Sequence, residues 1–187
     1  MRLAALAAPF LIASAAFGAN APLPFDVGGS FALVDQNGDP RSPVNPEGHG
    51  QILFFGYANC PGICSQAFPM IADAVDELKE LGMTITPVMI TVDPERDQPG
   101  EMNAPLAEYH PEFIGLTGTE QALQAAYDAY SIERELAYVD PEWGPIYTHG
   151  SFVYLLDHEG EVLTLFPPIL DPDRVVELAQ KYLSHTQ

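Results

Sequence analysis

The stretch Gln51-Ile52-Leu53-Phe54-Phe55-Gly56-Tyr57-Ala58-Asn59-Cys60-Pro61-Gly62-Ile63-Cys64-Ser65-Gln66 decides how this chain is read. Its apolar run from Ile52 to Phe55 has the pattern of a buried strand, and a Pro/Gly turn carrying both cysteines of the protein follows it. Beyond the turn, apolar residues recur at Ile71, Ala74, Val75, Leu78 and Leu81 before Gly82, a spacing that predicts a helix over Phe68 to Leu81. Both thiols are thus expected at or just before a helix N-terminus, where unpaired amides and the helix dipole favour the thiolate. A thiolate binds soft metal ions and attacks disulfides, which makes this turn the candidate site.

Outward from the turn, strands and helices alternate. Upstream, Phe31 to Asp35 reads as a strand ending in Gln36-Asn37-Gly38-Asp39, whose Asn-Gly pair is a strong hairpin signal; the Pro/Gly-rich Pro40 to Gly50 reads as loop. Downstream, Thr84 to Val92 is rich in β-branched residues and predicts a second buried strand. Glu101 to Tyr109 is a weaker helix that Pro105 must begin or kink. Phe113 to Leu116 predicts a short strand, Thr119 caps a helix through Tyr130, and Ser131 to Ile146 is expected to be a long irregular loop carrying Trp143, the single tryptophan. Strands over Ser151 to Leu156 and Glu161 to Phe166, joined by a turn, precede a closing helix from Pro172 to Leu183.

Helices between buried strands imply parallel crossovers, whereas the late pair of strands implies antiparallel pairing, so the sheet is expected to be mixed. A strand, a cysteine turn and a helix in such a sheet follow the thioredoxin plan. The expected class is α/β: a thioredoxin-like fold with a mixed central sheet flanked by helices and an N-terminal β-hairpin.

With 187 residues the chain suits one domain with a proper core, and 47% hydrophobic content against 18% charged content describes a globular protein. Seven Lys and Arg against 26 Asp and Glu give a formal net charge of -19, which repels a phosphate backbone and argues against nucleic acid as a partner. Met1-Arg2 followed by the apolar run Leu3 to Gly18 has the form of a signal peptide, with small residues at Ala16 and Gly18 suited to cleavage; an uncleaved membrane anchor is the alternative. The expected organisation is a leader over residues 1–18, a Pro-rich linker over 19–27 and one functional domain over 28–187. Export implies an oxidising compartment, yet a disulfide closing so short a loop would restrain little of the unfolded chain. Redox or metal chemistry explains the pair better than stability does.

Three residues separate the cysteines, and i, i+4 spacing puts both side chains on one face if the helix has begun by Cys60. Two thiolates prefer copper(I) or zinc among common ions, but they need a third donor. His149, in Tyr147-Thr148-His149-Gly150-Ser151 just before an apolar strand, is the candidate, since that loop is expected beside the cysteine turn; a solvated loop histidine is the alternative. His49, His110, His158 and His185 read as bystanders, and Met70 reads as core filler rather than a soft ligand. Without a metal, Cys60 could attack a disulfide and Cys64 resolve it, which leaves a thiol-disulfide oxidoreductase open beside a metal carrier.

Several separated motifs resemble the Sco/SenC family: Gly28-Gly29-Ser30-Phe31 with Leu33-Val34-Asp35-Gln36-Asn37-Gly38, Phe55-Gly56-Tyr57 with Cys60-Pro61-Gly62-Ile63-Cys64, Thr91-Val92-Asp93-Pro94-Glu95-Arg96-Asp97, Gly115-Leu116-Thr117-Gly118-Thr119, and His149 before Phe152-Val153-Tyr154-Leu155-Leu156-Asp157. The resemblance covers about residues 28 to 166. It implies a copper-binding assembly factor, facing the periplasm or the mitochondrial intermembrane space, that delivers copper to the CuA site of cytochrome c oxidase, reduces that site's cysteines, or both. Carried over by position, Cys60 and Cys64 become the thiolate ligands of copper(I) or copper(II), and His149 the imidazole ligand. The implied partners are cytochrome c oxidase subunit II or another copper or thiol client, and other copper chaperones; the implied location for an exported bacterial chain is the periplasm, with membrane association if the leader is retained. The chain departs from the family pattern at Gly62, Ser65, Thr148 and Gly150, where the family commonly carries Asp, Pro, Asp and Ser. Two acidic neighbours of the site are thereby lost, which changes its charge and the support of the imidazole.

Overall fold

The structure, a computed structural model, describes residues 23–184. The expected leader and the first part of the linker lie outside the described residues, as does His185. In chain order the elements are β1 (Leu33–Asp35), β2 (Pro40–Arg41), β3 (Gly50–Gly56), α1 (Cys64–Glu80), β4 (Ile85–Thr91), α2 (Asn103–Ala107), β5 (Ile114–Thr117), α3 (Glu120–Ala129), β6 (Arg134–Asp140), β7 (Gly144–His149), β8 (Val153–Leu156), β9 (Val162–Phe166) and α4 (Pro172–Leu183).

Seven strands form one sheet in the order β2-β1-β5-β4-β3-β8-β9. Its centre is parallel, with β3 beside β4 and β4 beside β5, while β8 runs antiparallel to β3 and to β9. The mixed thioredoxin-like sheet and the N-terminal hairpin are as expected, the hairpin being β1 paired with β2 across the Asn37-Gly38 turn. Asp35 stabilises that turn by accepting the backbone N–H of Asn37 at 2.8 Å. Because helices cover both faces of the parallel centre, β3 and β4 are almost wholly buried, which is why their sequences are near-continuous apolar runs.

Helix α1 lays Ala67, Phe68, Ile71, Ala74, Val75 and Leu78 against the sheet. Each large apolar side chain so buried contributes roughly 1.5–3 kcal/mol. The helix begins at Cys64, ahead of the expected Phe68, because Ser65 and Gln66 continue the helix without adding to its apolar stripe. It ends where Gly82 adopts φ +81°, a left-handed conformation that glycine takes without a Cβ penalty. Thr119 caps α3 as expected, its hydroxyl accepting from the Ala122 N–H at 3.2 Å. Met70 is buried in the core.

The expectation for residues 131–146 fails, and β2 takes the first two residues of the expected Pro40 to Gly50 loop. Residues 131–146 are not irregular: β6 and β7 pair as an antiparallel hairpin in a two-stranded sheet of their own. Most of β6 is exposed, so it has no buried face to impose an apolar alternation, and Leu136, Tyr138, Val139 and Trp143 all face solvent. The turn signal was local. The Asp140 carboxylate accepts the N–H groups of Glu142 and Trp143 at 2.8 and 2.9 Å, and Gly144 supplies φ +72°.

The register fixes where the chemistry sits. Gly56 pairs with Thr91, and Val153 pairs with Phe54, so the turn after β3, the turn after β4 and the approach to β8 all gather at one end of the sheet.

Candidate metal centre

The cysteine turn is held from both sides. The Cys60 N–H donates to the Tyr57 carbonyl at 3.2 Å, and the Ser65 hydroxyl donates to the Gly62 carbonyl at 2.8 Å. From the turn after β4, the Asp97 carboxylate accepts the Ala58 N–H at 3.1 Å and the Thr91 hydroxyl at 2.6 Å. Burial pushes the Asp97 carboxyl up to about 6, against those two hydrogen bonds.

Helix α1 starts at Cys64, so Cys60 lies in the turn, and the condition under which i, i+4 spacing would put both cysteines on one helical face is not met. Both are free and buried, Cys60 at 8% exposure and Cys64 at zero. That small difference separates their chemistry. The Cys64 thiol donates to the Cys60 sulfur, which is the largest influence holding the Cys60 thiol far below its ordinary range; the neighbouring His149 ring and hydrogen bonds from the backbone N–H groups of Cys64 and Gly62 add to it, while burial opposes. Burial first, then the neighbouring Cys60 charge, pushes the Cys64 thiol up. One thiolate and one thiol result, where the helix N-terminus alone led to an expectation of two thiolates. The Tyr57 phenol, raised chiefly by burial, also shares a hydrogen bond with Cys60.

His149 is the last residue of β7 and pairs across the hairpin with Arg134. Its ring stands edge-on to Phe54 at 6.2 Å and to Tyr57 at 6.4 Å between centroids, and it lies beside the Cys60 sulfur, whose charged form it favours. Nδ1 lies 2.9 Å from the Gly150 carbonyl oxygen, an acceptor, which assigns the proton to that nitrogen and leaves the other for a metal. Two sulfurs and one imidazole are a soft donor set of the kind that copper(I) prefers. Among the described residues no three His, Cys, Asp or Glu side chains are already spaced to hold an ion, so loading must displace the protons that now link these groups and shift the donors locally. A cavity of about 610 Å³ adjoins His149 but neither cysteine, lined by Glu133, Arg134, Glu135, Thr148, His149 and Gly150 among others.

The other described histidines lie elsewhere. His110 is buried and faces the Asp76 carboxylate at 3.2 Å. His49 and His158 line a pocket of about 210 Å³ with Gly82 and Met83, away from the cysteine turn. Beyond their place in the family motifs, no role for Arg96, Asp97 or Tyr57 was legible in the sequence. Their signal was a tight Asp93-Pro94-Glu95-Arg96-Asp97 turn directly after a buried strand, a place where charged side chains enter a structure only when paired.

Comparison with known proteins follows this geometry. The sequence profile of the family described as SCO1/SenC matches residues 19–184. A SCO2-like protein of Rickettsia conorii is 35% identical over 153 residues, covering 81% of this chain and 74% of that protein. The mitochondrial protein SCO1 of Saccharomyces cerevisiae is 31% identical over 167 residues, covering 86% of this chain and 57% of its own length. Among solved structures, Arabidopsis thaliana ScoI with copper bound superposes with TM-score 0.78 at 28% identity, covering 85% of this chain and 99% of that one. Yeast Sco1 with copper bound gives TM-score 0.74 at 30% identity, covering 87% of this chain and 93% of the other.

Proposed function

This chain belongs to the SCO1/SenC family, and we propose on that premise that it is a copper carrier serving cytochrome c oxidase assembly. The observation that supports this most is the place of His149, whose ring packs on Phe54 and Tyr57 and stands beside Cys60 although it comes from a separate hairpin. Copper is the cargo. Copper(I) would be held by Cys60 and Cys64 as thiolates with neutral His149, and copper(II) by the same donors with an added oxygen ligand. An open three-donor site releases its ion by exchanging ligands one at a time, which a closed four-coordinate site resists.

The client in this proposal is the CuA site of cytochrome c oxidase subunit II, with other copper chaperones as suppliers. The working domain is residues 28–187, placed in the periplasm by the leader pattern of residues 1–18, with the linker of 19–27 between. Among the described residues no helix is long and apolar enough to cross a membrane.

Anaerobic copper loading of the purified chain tests the proposal. Absorption in the thiolate-to-copper charge-transfer region should appear at one copper per chain and vanish in Cys60→Ala and in Cys64→Ala. Retention of the band in either variant removes that cysteine from the site.

A second activity, thiol-disulfide exchange, is favoured by the inequality of the two sulfurs. The Cys60 thiolate attacks a client disulfide and expels one client thiolate, forming a mixed disulfide. Cys64 then loses its proton and attacks the Cys60 sulfur, releasing the second client thiolate and leaving a Cys60–Cys64 disulfide, so that two electrons have passed to the client. A Cys64→Ser variant should accumulate the mixed disulfide with a model client that carries a disulfide. Its absence on non-reducing gels counts against the exchange activity.

A further inference from the structure

We infer that Arg96 is a positioning residue that latches the β6–β7 hairpin to the cysteine turn and so sets where His149 stands. Among the described residues the hairpin pairs with no strand of the main sheet, so its position depends on side-chain ties. Arg96 supplies two of them. Its guanidinium donates through Nη1 to the Trp143 carbonyl at 2.5 Å and through Nη2 to the Pro145 carbonyl at 2.9 Å, gripping the start of β7 with one planar fork. Its Nε donates to Asp93, whose carboxylate is fully buried in the turn after β4 and fixes the base of the fork.

The same guanidinium lies over the Tyr57 ring at 5.4 Å, and Tyr57 stands edge-on to Tyr147 of β7 at 6.1 Å. Arg134 of β6 lies over the Tyr147 ring at 4.2 Å and donates through Nε to the Val92 carbonyl. Arg96, Tyr57, Tyr147 and Arg134 therefore form one continuous stack, two touching rings with a cation at each end, spanning the gap between the cysteine turn and the hairpin. Two of the seven Lys and Arg residues of a strongly acidic chain are placed here, which a merely solvating surface would not need. Asp97, adjacent to Arg96, holds Ala58 of the cysteine turn, so one turn grips both halves of the site.

The inference deepens the copper proposal, since a latch matters to function only if the His149 ring has a task at Cys60. Removing Arg96 outright would leave Asp93 buried and unpaired, at a cost that could unfold the chain. Arg96→Lys keeps a cation for Asp93 but has no fork to reach both carbonyls, and Tyr147→Leu breaks the stack while sparing the ion pair. In the copper-free chain, both variants should show amide exchange in β7 faster by about tenfold or more, with exchange in β3 and β4 unchanged, and should weaken the nuclear Overhauser contact between the His149 and Tyr57 rings. Wild-type β7 exchange and ring contacts in both variants overturn the latch. Copper(II) loading then separates the two ideas: an altered copper(II) electron-spin signature supports the latch acting on the metal site. A wild-type signature beside a loosened hairpin supports the latch and removes His149 from the copper(II) ligands.

Discussion

The imidazole of His149 stands beside the Cys60 sulfur and favours its thiolate, reaching it from a hairpin that shares no strand with the sheet carrying the cysteine turn. Loss of the imidazole should therefore have two effects from one change. Supporting partners of metal ligands are already worth roughly 10–100-fold in affinity, so His149→Ala should weaken copper(II) binding by at least the upper figure while copper(I) binding by the thiolates persists. The fold should survive, because His149 is only partly buried at the end of a strand. Competitive titration with a copper(II) chelator reads the first effect, and unchanged affinity would exclude the ring as a ligand.

Cys64 is the largest single support of the Cys60 thiolate. In Cys64→Ala the thiol donor is gone, and the Cys60 thiol should move back toward its ordinary range, so that its rate of alkylation at pH 6 falls by at least about tenfold. In the wild-type chain, alkylation at neutral pH should modify Cys60 before Cys64, because Cys64 is fully buried and held protonated. Both cysteines lie on one tryptic peptide, Ser42 to Lys79, so fragment-ion mass spectrometry of that peptide after brief alkylation distinguishes the two; equal labelling would contradict the asymmetry.

Asp97 gives a stability effect with a definite sign. Its carboxyl rises from the usual 3.8 to about 6 in the folded chain, so folding favours the protonated form. Between those values the native state binds more protons than the unfolded state, and stability falls as pH rises through the window. The full stabilising contribution is present below the unfolded value and is lost above about 6. At 1.36 kcal/mol per unit, the swing is at most on the order of 3 kcal/mol. Asp97→Asn, which keeps an oxygen for the Ala58 N–H, should flatten this component: the urea midpoint of wild type minus variant should decrease from pH 4.5 to pH 7.5. A difference that stays constant with pH would show that Asp97 does not titrate in this window.

How much of this was legible in the sequence depends on what each segment buries. β3, β4 and α1 were readable because both faces of the strands and one face of the helix meet the core, and burial writes period and composition into the chain. The β6–β7 hairpin was not, because exposed strands may carry almost any residue; its turn chemistry at Asp140 and Gly144 was the remaining trace. Cys60, Cys64 and His149 stood out by residue type. The inequality of the two thiols did not, because it depends on Cys64 being the first residue of α1 and Cys60 lying outside the helix, a boundary that periodicity placed too late. Arg96 was visible as a charge and invisible as a latch, since its partners are backbone carbonyls of a distant hairpin, and carbonyls leave no mark on sequence.

Gly62 tests what the missing carboxylate does. A Cβ placed there would lie 3.8 Å from the Cys60 sulfur, ordinary contact distance, so a side chain fits without displacing the turn. In Gly62→Asp a carboxylate would be brought near the one group of the site that ionises readily, and like charges disfavour each other's charged forms. The Cys60 thiol should then titrate at higher pH than in the wild type, and alkylation near pH 6 should slow. Copper(II), a hard enough ion to accept oxygen, should gain from the same carboxylate, whereas copper(I) held by sulfur should change little. The glycine therefore tilts this chain toward a reactive thiolate and away from copper(II) retention. Paired measurements of alkylation rate and copper(II) affinity in Gly62→Asp check that balance: slower alkylation with tighter copper(II) is the expected outcome, and an unchanged or faster alkylation rate would mean that the carboxylate does not act on the sulfur.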